Sequence, residues 1–388
     1  MPLVYELILF LLTSIYLLIL YYLAKGFDEI KKQSRVDDTP RITVIVSAHN
    51  EEIHIPACLK HLARQRYPKE QIEFIIVDDR SSDATAMIID RFAQKDPRFK
   101  RISITNRLPG FAPKKRAIDT AIWQARGEII LLTDADGRPG TDWVKEMSSY
   151  FTPETDMVIG YAPYTVKPQG HFSKPLLALE YLSHAAVAAA TCGIGFPVTC
   201  VGTNMGYRKK LYAEIGGFGE YKPFLSGDDD LFLTRVREAK KYTIRYADSP
   251  RTHVYNDPPQ LWSKFIHQRM RYASKGFNYP LKVTAGLLGY YFYNLIMLFG
   301  LGSLFFKLSW FIPALSAYVL KSTGEYLFMR KAGQTLHDTR FINRIPLVQV
   351  LHIPYVVVFG ILGQFKRFRW AEEYAEASVQ KPVTPSRS

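Results

Sequence analysis

Five short polar clusters have residue types and spacings suited to chemistry on a phosphorylated substrate. Thr133-Asp134-Ala135-Asp136-Gly137 places carboxylates at i and i+2. At the end of a strand such residues point to the same side. Two like charges held that close call for a cation between them. Hard oxygen ligands of this kind suit Mg2+ or Mn2+, which also bridge a diphosphate. A D-x-D alone is common in solvated turns; directly after the apolar run Glu128–Thr133 it carries more weight. Asp78-Asp79-Arg80-Ser81-Ser82-Asp83 contains a helix cap at Ser82 or Asp83. Its paired carboxylates exceed what capping needs, and a carboxylate can accept the imide N–H of a uracil ring. Ser226-Gly227-Asp228-Asp229-Asp230-Leu231 puts three carboxylates ahead of a helix. Capping and the helix dipole explain part of that. Crowding also raises the pKa of one member, as a general base for a hydroxyl requires. Lys114-Lys115-Arg116 opens a predicted helix. A basic run is usually a solvated turn, but a helix N-terminus also favours phosphate, and one lysine can balance a diphosphate. Last, Gln268-Arg269-Met270-Arg271-Tyr272 lies in LWSKFIHQRMRYASKG, an amphipathic interfacial helix by its spacing. There an arginine can meet a pyrophosphate and the aromatic can lie under an acceptor.

These clusters need a scaffold, and the sequence between Thr39 and Tyr279 predicts one. Short β-branched or apolar runs at Arg41–Ala48, Ile72–Val77, 100–105 and Glu128–Thr133 predict strands. Helical stretches from Glu51 to Arg66, over Asp83–Gln94 and over 114–126 alternate with them. Apolar strands interleaved with helices imply an α/β fold, a parallel sheet covered on both faces with right-handed crossovers. Ligands in such sheets bind at the carboxyl ends of the strands, where the clusters at Asp78 and Asp134 fall.

The flanks are apolar. Residues 7–23 form an uninterrupted run of seventeen, the short end of a spanning helix. Basic residues follow the run and no Ala-x-Ala site does, which favours an uncleaved anchor over a signal peptide. The flank at Lys25, Lys31, Lys32 and Arg35 predicts a cytosolic domain after it. Residues 284–306 and 308–328 are long enough to span, and 345–363, interrupted by Pro354, is a weaker span or an interfacial segment. The chain has a formal net charge of +14, much of it beside these runs at Lys366, Arg367 and Arg369 as well. That placement points to a membrane surface and not to nucleic acid. Cys58, Cys192 and Cys200 give no disulfide framework.

The clusters S-A-H-N-E-E, V-D-D-R-S-S-D, T-D-A-D, G-D-D-D-L and Q-R-M-R-Y, in this order over about residues 40–280, resemble the family-2 glycosyltransferases. That group includes cellulose, chitin and hyaluronan synthases and ceramide glucosyltransferases. Gly202-Thr203-Asn204-Met205-Gly206-Tyr207-Arg208 resembles the family's acceptor-side strand. The resemblance implies a GT-A fold, a UDP-sugar donor and inversion at the anomeric carbon. It implies that Asp78 or Asp79 holds the uracil, with Ala48, Asn50 and Glu51 lining the nucleoside pocket. Asp134 and Asp136 would bind diphosphate and metal, Lys115 would lie on the donor side, and Asp229, beside Asp228, would be the base. Gly202, Asn204, Gln268, Arg269, Arg271 and Tyr272 would serve acceptor and diphosphate. Three positions depart from the family pattern: Asp228 stands for a Glu, Tyr272 for a Trp and His49 for an aromatic.

The expected organisation is an anchor at 1–25, a GT-A domain at 40–258, an interfacial helix at 259–282, two or three spans within 283–365, and a basic, then flexible tail at 366–388. The expected partners are a nucleotide-sugar donor, a lipid or glycan acceptor and the membrane, with a bacterial inner membrane as the setting. A lipid acceptor is favoured over polymer synthesis because three or four spans are few for an export channel. A P-loop phosphoryl transferase is excluded by the absence of G-x-x-x-x-G-K-[ST]. A non-catalytic scaffold predicts eroded carboxylates, and these are intact.

Overall fold

The computed structural model describes residues 2–166, 173–259 and 281–365. The expected helix at 259–282 and the tail at 366–388 lie almost wholly outside them, as do Gln268, Arg269, Arg271 and Tyr272.

The four predicted strands form where expected: β1 (Ile42–Ala48), β2 (Ile72–Asp79), β3 (Phe99–Ile104) and β4 (Ile129–Asp134). The helices between them are α2 (Ile55–Ala63), α3 (Thr85–Lys95) and α4 (Pro113–Gln124). β2 is buried along its whole length, so it reads as a continuous apolar run and not an alternating one. Further on come β5 (Arg138–Pro139), α5 (Trp143–Ser148), β6 (Met157–Gly160), α6 (Ser173–Gly193), β7 (Met205–Arg208), α7 (Lys209–Glu214), α8 (Asp230–Glu238), β8 (Ile244–Ala247) and β9 (Val254–Tyr255). One seven-stranded sheet has the order β3-β2-β1-β4-β7-β6-β8. Its pairings are parallel except that β7 runs antiparallel to both β4 and β6. Apolar layers cover both faces, one with α2, α3 and α5, the other with α4 and α6.

The helix α1 (Pro2–Lys31) does not stop at the expected boundary of residue 25. Phe27 and Ile30, 0% and 1% exposed, belong to the same apolar core as β1 and β4. Here α1 crosses α6 at backbone contact. A Cβ on Gly26 would sit 2.0 Å from the carbonyl oxygen of Ala190, and one on Gly193 would sit 2.0 Å from that of Gly26.

The C-terminal helices are α9 (Leu281–Gly302), α10 (Leu308–Thr335) and α11 (Ile345–Phe365). Among the described residues four helices are long and apolar enough to cross a membrane: Leu3–Lys31, Lys174–Gly193, Leu281–Phe305 and Ile342–Leu362. Two expectations change. The helix expected over 308–328 forms but is longer and more polar than a simple span, because Lys321 and Glu325 interrupt it. The segment Lys174–Gly193, absent from the sequence reading, qualifies by composition, yet most of it is buried against the rest of the protein. Lys321 is 0% exposed and its Nζ donates to Glu325 Oε1 at 2.7 Å. Tyr16 of α1 donates to the same carboxylate.

Candidate active site

The strand register gathers the clusters at one edge. Ala48 pairs with Asp78, and Ser47 with Asp134, so the carboxyl ends of β1, β2 and β4 lie side by side. Beyond β1 the chain turns before α2 begins, later than the expected start at Glu51. Asn50 adopts a positive φ of 55°, and its Oδ1 accepts from the backbone N–H of Ser82 at 2.8 Å. The N–H groups of Glu51 and Glu52 donate to Thr85 Oγ1 and Asp83 Oδ2 at 2.8 and 3.1 Å. These bonds tie the two loops into one cradle. At its floor Asp78 Oδ1 accepts from the Ser81 N–H at 3.2 Å, and Arg80 Nε donates to Asp79 Oδ1 at 2.8 Å. Both carboxylates are buried.

The centre of the site is an ammonium bridging two carboxylates. Lys114 Nζ lies 2.7 Å from Asp134 Oδ1 and 2.8 Å from Asp228 Oδ2. Burial alone would lower the Lys114 pKa, but the two aspartates overcome it and hold the group well above the ordinary ammonium range. Thr203 Oγ1 donates to the other oxygen of Asp134. Asp136, partly exposed, titrates at about 6, because burial, Asp134 and Glu51 all disfavour its charge. Among the described residues no group of three or more His, Cys, Asp or Glu is placed to hold an ion. Asp136 and Asp134 still fit an ion that takes one or two carboxylates and fills its shell with substrate phosphates and water. The crowded negative charge at Asp136 is what such an ion would relieve.

On the other side of Lys114, Asp229 is the N-cap of α8 and accepts from the Asp230 N–H at 2.7 Å. Its second oxygen accepts from the Gly202 N–H at 3.3 Å. Asp228 and Asp230 are buried, whereas Asp229 is partly exposed. Gly202 permits this approach: a Cβ there would lie 3.0 Å from Asp228 Oδ2 and 3.4 Å from Lys114 Nζ.

Two expected site residues have other work. Lys115 is 1% exposed, and its Nζ donates to the carbonyls of Tyr221, Phe224 and Ser226 at 2.7, 2.8 and 2.9 Å. Lys114, one position earlier on the helix and so on a different face, is the lysine that meets Asp134 and Asp228. Asn204 is 0% exposed. Its amide donates to the carbonyls of Tyr161 and Thr252 at 2.7 and 2.8 Å and accepts from Trp143 Nε1 at 3.0 Å, so it ties the start of β7 to its neighbours. Thr203 was missed, although it stands between the two residues that drew attention.

Residues 43–216 match the model of glycosyl transferase family 2. Over these residues the chain is similar to glycosyl transferase family 2. The Bacillus subtilis protein YdaM, whose name calls it a probable glycosyltransferase, is 28% identical over 63% of this chain and 57% of its own length. An N-acetylglucosaminyltransferase of Rhizobium meliloti is 28% identical over 61% of this chain and 56% of its own. The chain thus spans little more than half of these relatives. The solved mannosyltransferase PcManGT of Pyrobaculum calidifontis, in complex with GDP-Man and Mn2+, superposes with a TM-score of 0.54 at 20% identity. It covers 92% of this chain and 99% of its own, and the shared architecture is the GT-A fold.

Proposed function

We propose that the protein transfers a sugar from a nucleotide-sugar donor, UDP-linked, to the hydroxyl of a lipid at the cytosolic face of a membrane, a bacterial inner membrane, with inversion at the anomeric carbon. The observation that carries the reading is the Asp134–Lys114–Asp228 bridge. It ties the donor side of the cleft to the loop bearing Asp229, the partly exposed carboxylate. In this reading Ala48, Asn50, Glu51 and either Asp78 or Asp79 surround the nucleoside. Lys114 turns from the aspartates to the diphosphate when the donor arrives, balancing charge that grows as the sugar leaves. Asp229 takes the proton of the acceptor hydroxyl as it attacks from the opposite face. The Gly202 N–H holds that carboxylate in place. Asp136, with Asp134, would hold Mg2+ or Mn2+, which when bound neutralises the diphosphate. The mannosyltransferase solved with GDP-Man and Mn2+ supports a nucleotide-sugar donor and a divalent ion.

The lipid acceptor rests on α1, which joins an apolar run to the catalytic core, and on the apolar α9 and α11. A beta-monoglucosyldiacylglycerol synthase of Synechocystis, 32% identical over 30% of this chain, supports it. The test is nucleotide release by the detergent-purified chain across a panel of sugar donors, with Mn2+ or Mg2+ and a native lipid extract. Release that needs both ion and lipid is expected. Release without extract and with a growing product would instead make the protein a polysaccharide synthase. Donor binding with no release under any condition would make it a scaffold that keeps the fold.

A further inference from the structure

The Lys115 ammonium is the most buried cation beside the site, and the reaction as read above does not use it. We propose that Lys115 is a positioning residue: it sets the loop 221–227 and through it the place of Asp228 and Asp229. This rests on the assignment of Asp229 as base. An ammonium has three N–H donors, and here three carbonyls of one short loop meet it within 2.9 Å. Charge-assisted bonds of this kind are about twice as strong as neutral ones. The rings of Phe218 and Phe224 lie 5.9 and 6.0 Å from Nζ, adding cation–π attraction. A second tie runs from the Ala112 N–H, just before α4, to the Lys222 carbonyl at 2.8 Å.

The loop then turns into α8 through Gly227, whose φ is +88° and whose missing Cβ would meet Leu231 Cδ1 at 2.4 Å. Nothing but glycine fits that turn without a shift. The loop is therefore held along its length by Lys115, and Gly227 closes it with Asp228 and Asp229 following at once. Consecutive lysines divide the labour. Lys114 reaches the Asp228 carboxylate itself, while Lys115 holds the backbone that presents Asp228 and Asp229. The first turn of α4 thereby fixes the distance between donor side and acceptor side.

The test compares Lys115→Met and Lys115→Arg with the wild type, as the full chain in detergent. Methionine keeps the apolar stem and leaves three carbonyls without their donor. We expect kcat to fall about tenfold or more while the donor KM, and the affinity for UDP with Mn2+ measured by calorimetry, stay within about twofold. Lys115→Arg should recover part of kcat, since its planar fork supplies charge but not three convergent donors. Amide exchange in Lys115→Met should quicken over 221–227 and not in β1 or β4. Loss of UDP affinity in step with kcat would make Lys115 a donor ligand and overturn the proposal, as would an unchanged kcat. If Lys115→Met does not fold, Lys115→Arg is read for the same split. Amides of 221–227 that exchange in the wild type as fast as an exposed loop would also overturn it. The exchange measurement needs no acceptor, so its result stands even if no transfer is found.

Discussion

At the scale of single residues, charge placement decides the chemistry. Asp229→Asn should leave UDP binding intact and lower turnover by about 10²–10⁴-fold, the usual weight of a positioned base; single-turnover kinetics with a bound donor checks this. Retained turnover would remove Asp229 from the mechanism. Asp136 makes a prediction about pH. Its pKa is about 6 in the folded protein, above the ordinary carboxylate value, so the folded state holds the extra proton. The stability it contributes is present at low pH and is lost as pH rises through about 6. Without divalent ion, thermal unfolding should therefore shift to lower temperature over that rise. Asp136→Asn should flatten the shift and abolish any stabilisation by Mn2+. The residue types at the site were legible in the sequence: Asp134, Asp136, Asp228 and Asp229 all stand at the cleft. What the sequence could not convey was the azimuth of neighbours on a helix. Lys114 and Lys115 differ by one position and face different partners, and Asn204 lies in a polar motif with its amide turned wholly inward.

At the scale of elements, the first four strands were legible within a residue or two, because β1, β2 and β4 are buried and leave apolar runs while β3 alternates. β7 lies within the expected strand Gly202–Arg208, but its reversed direction was not legible, since four residues carry no sign of direction. α6 was overlooked for a related reason. Buried on most sides, it shows no polar stripe, and Glu180 and His184 break the run that would have marked it as a span. The α1–α6 crossing makes its own prediction. Gly26→Val places carbon where the Ala190 carbonyl already stands, so the helices must part, at a cost of about 1–3 kcal/mol. The midpoint of thermal unfolding in detergent should fall accordingly; an unchanged midpoint would mean that α1 is not docked in this way.

At the scale of the whole molecule, the Lys321–Glu325 pair organises the helix bundle. It draws α10 to α1 through Tyr16, and this explains why α10 is more polar than a spanning helix expected from its apolar start. Removing one member leaves the other charge buried alone. Glu325→Gln should cost about 3–5 kcal/mol, whereas Lys321→Met with Glu325→Met should cost much less. Thermal unfolding of the single and double variants separates these, and equal losses would refute a paired role. The anchor matters for a further reason. α1 runs unbroken from its apolar run to Phe27 and Ile30 in the core of the sheet, so a continuous helix joins the two. With residues 7–23 in the bilayer, the cleft stands at a single height above the lipid headgroups. On the proposed lipid acceptor, the helix would act as a depth gauge: only headgroups whose hydroxyl stands at that height would reach Asp229.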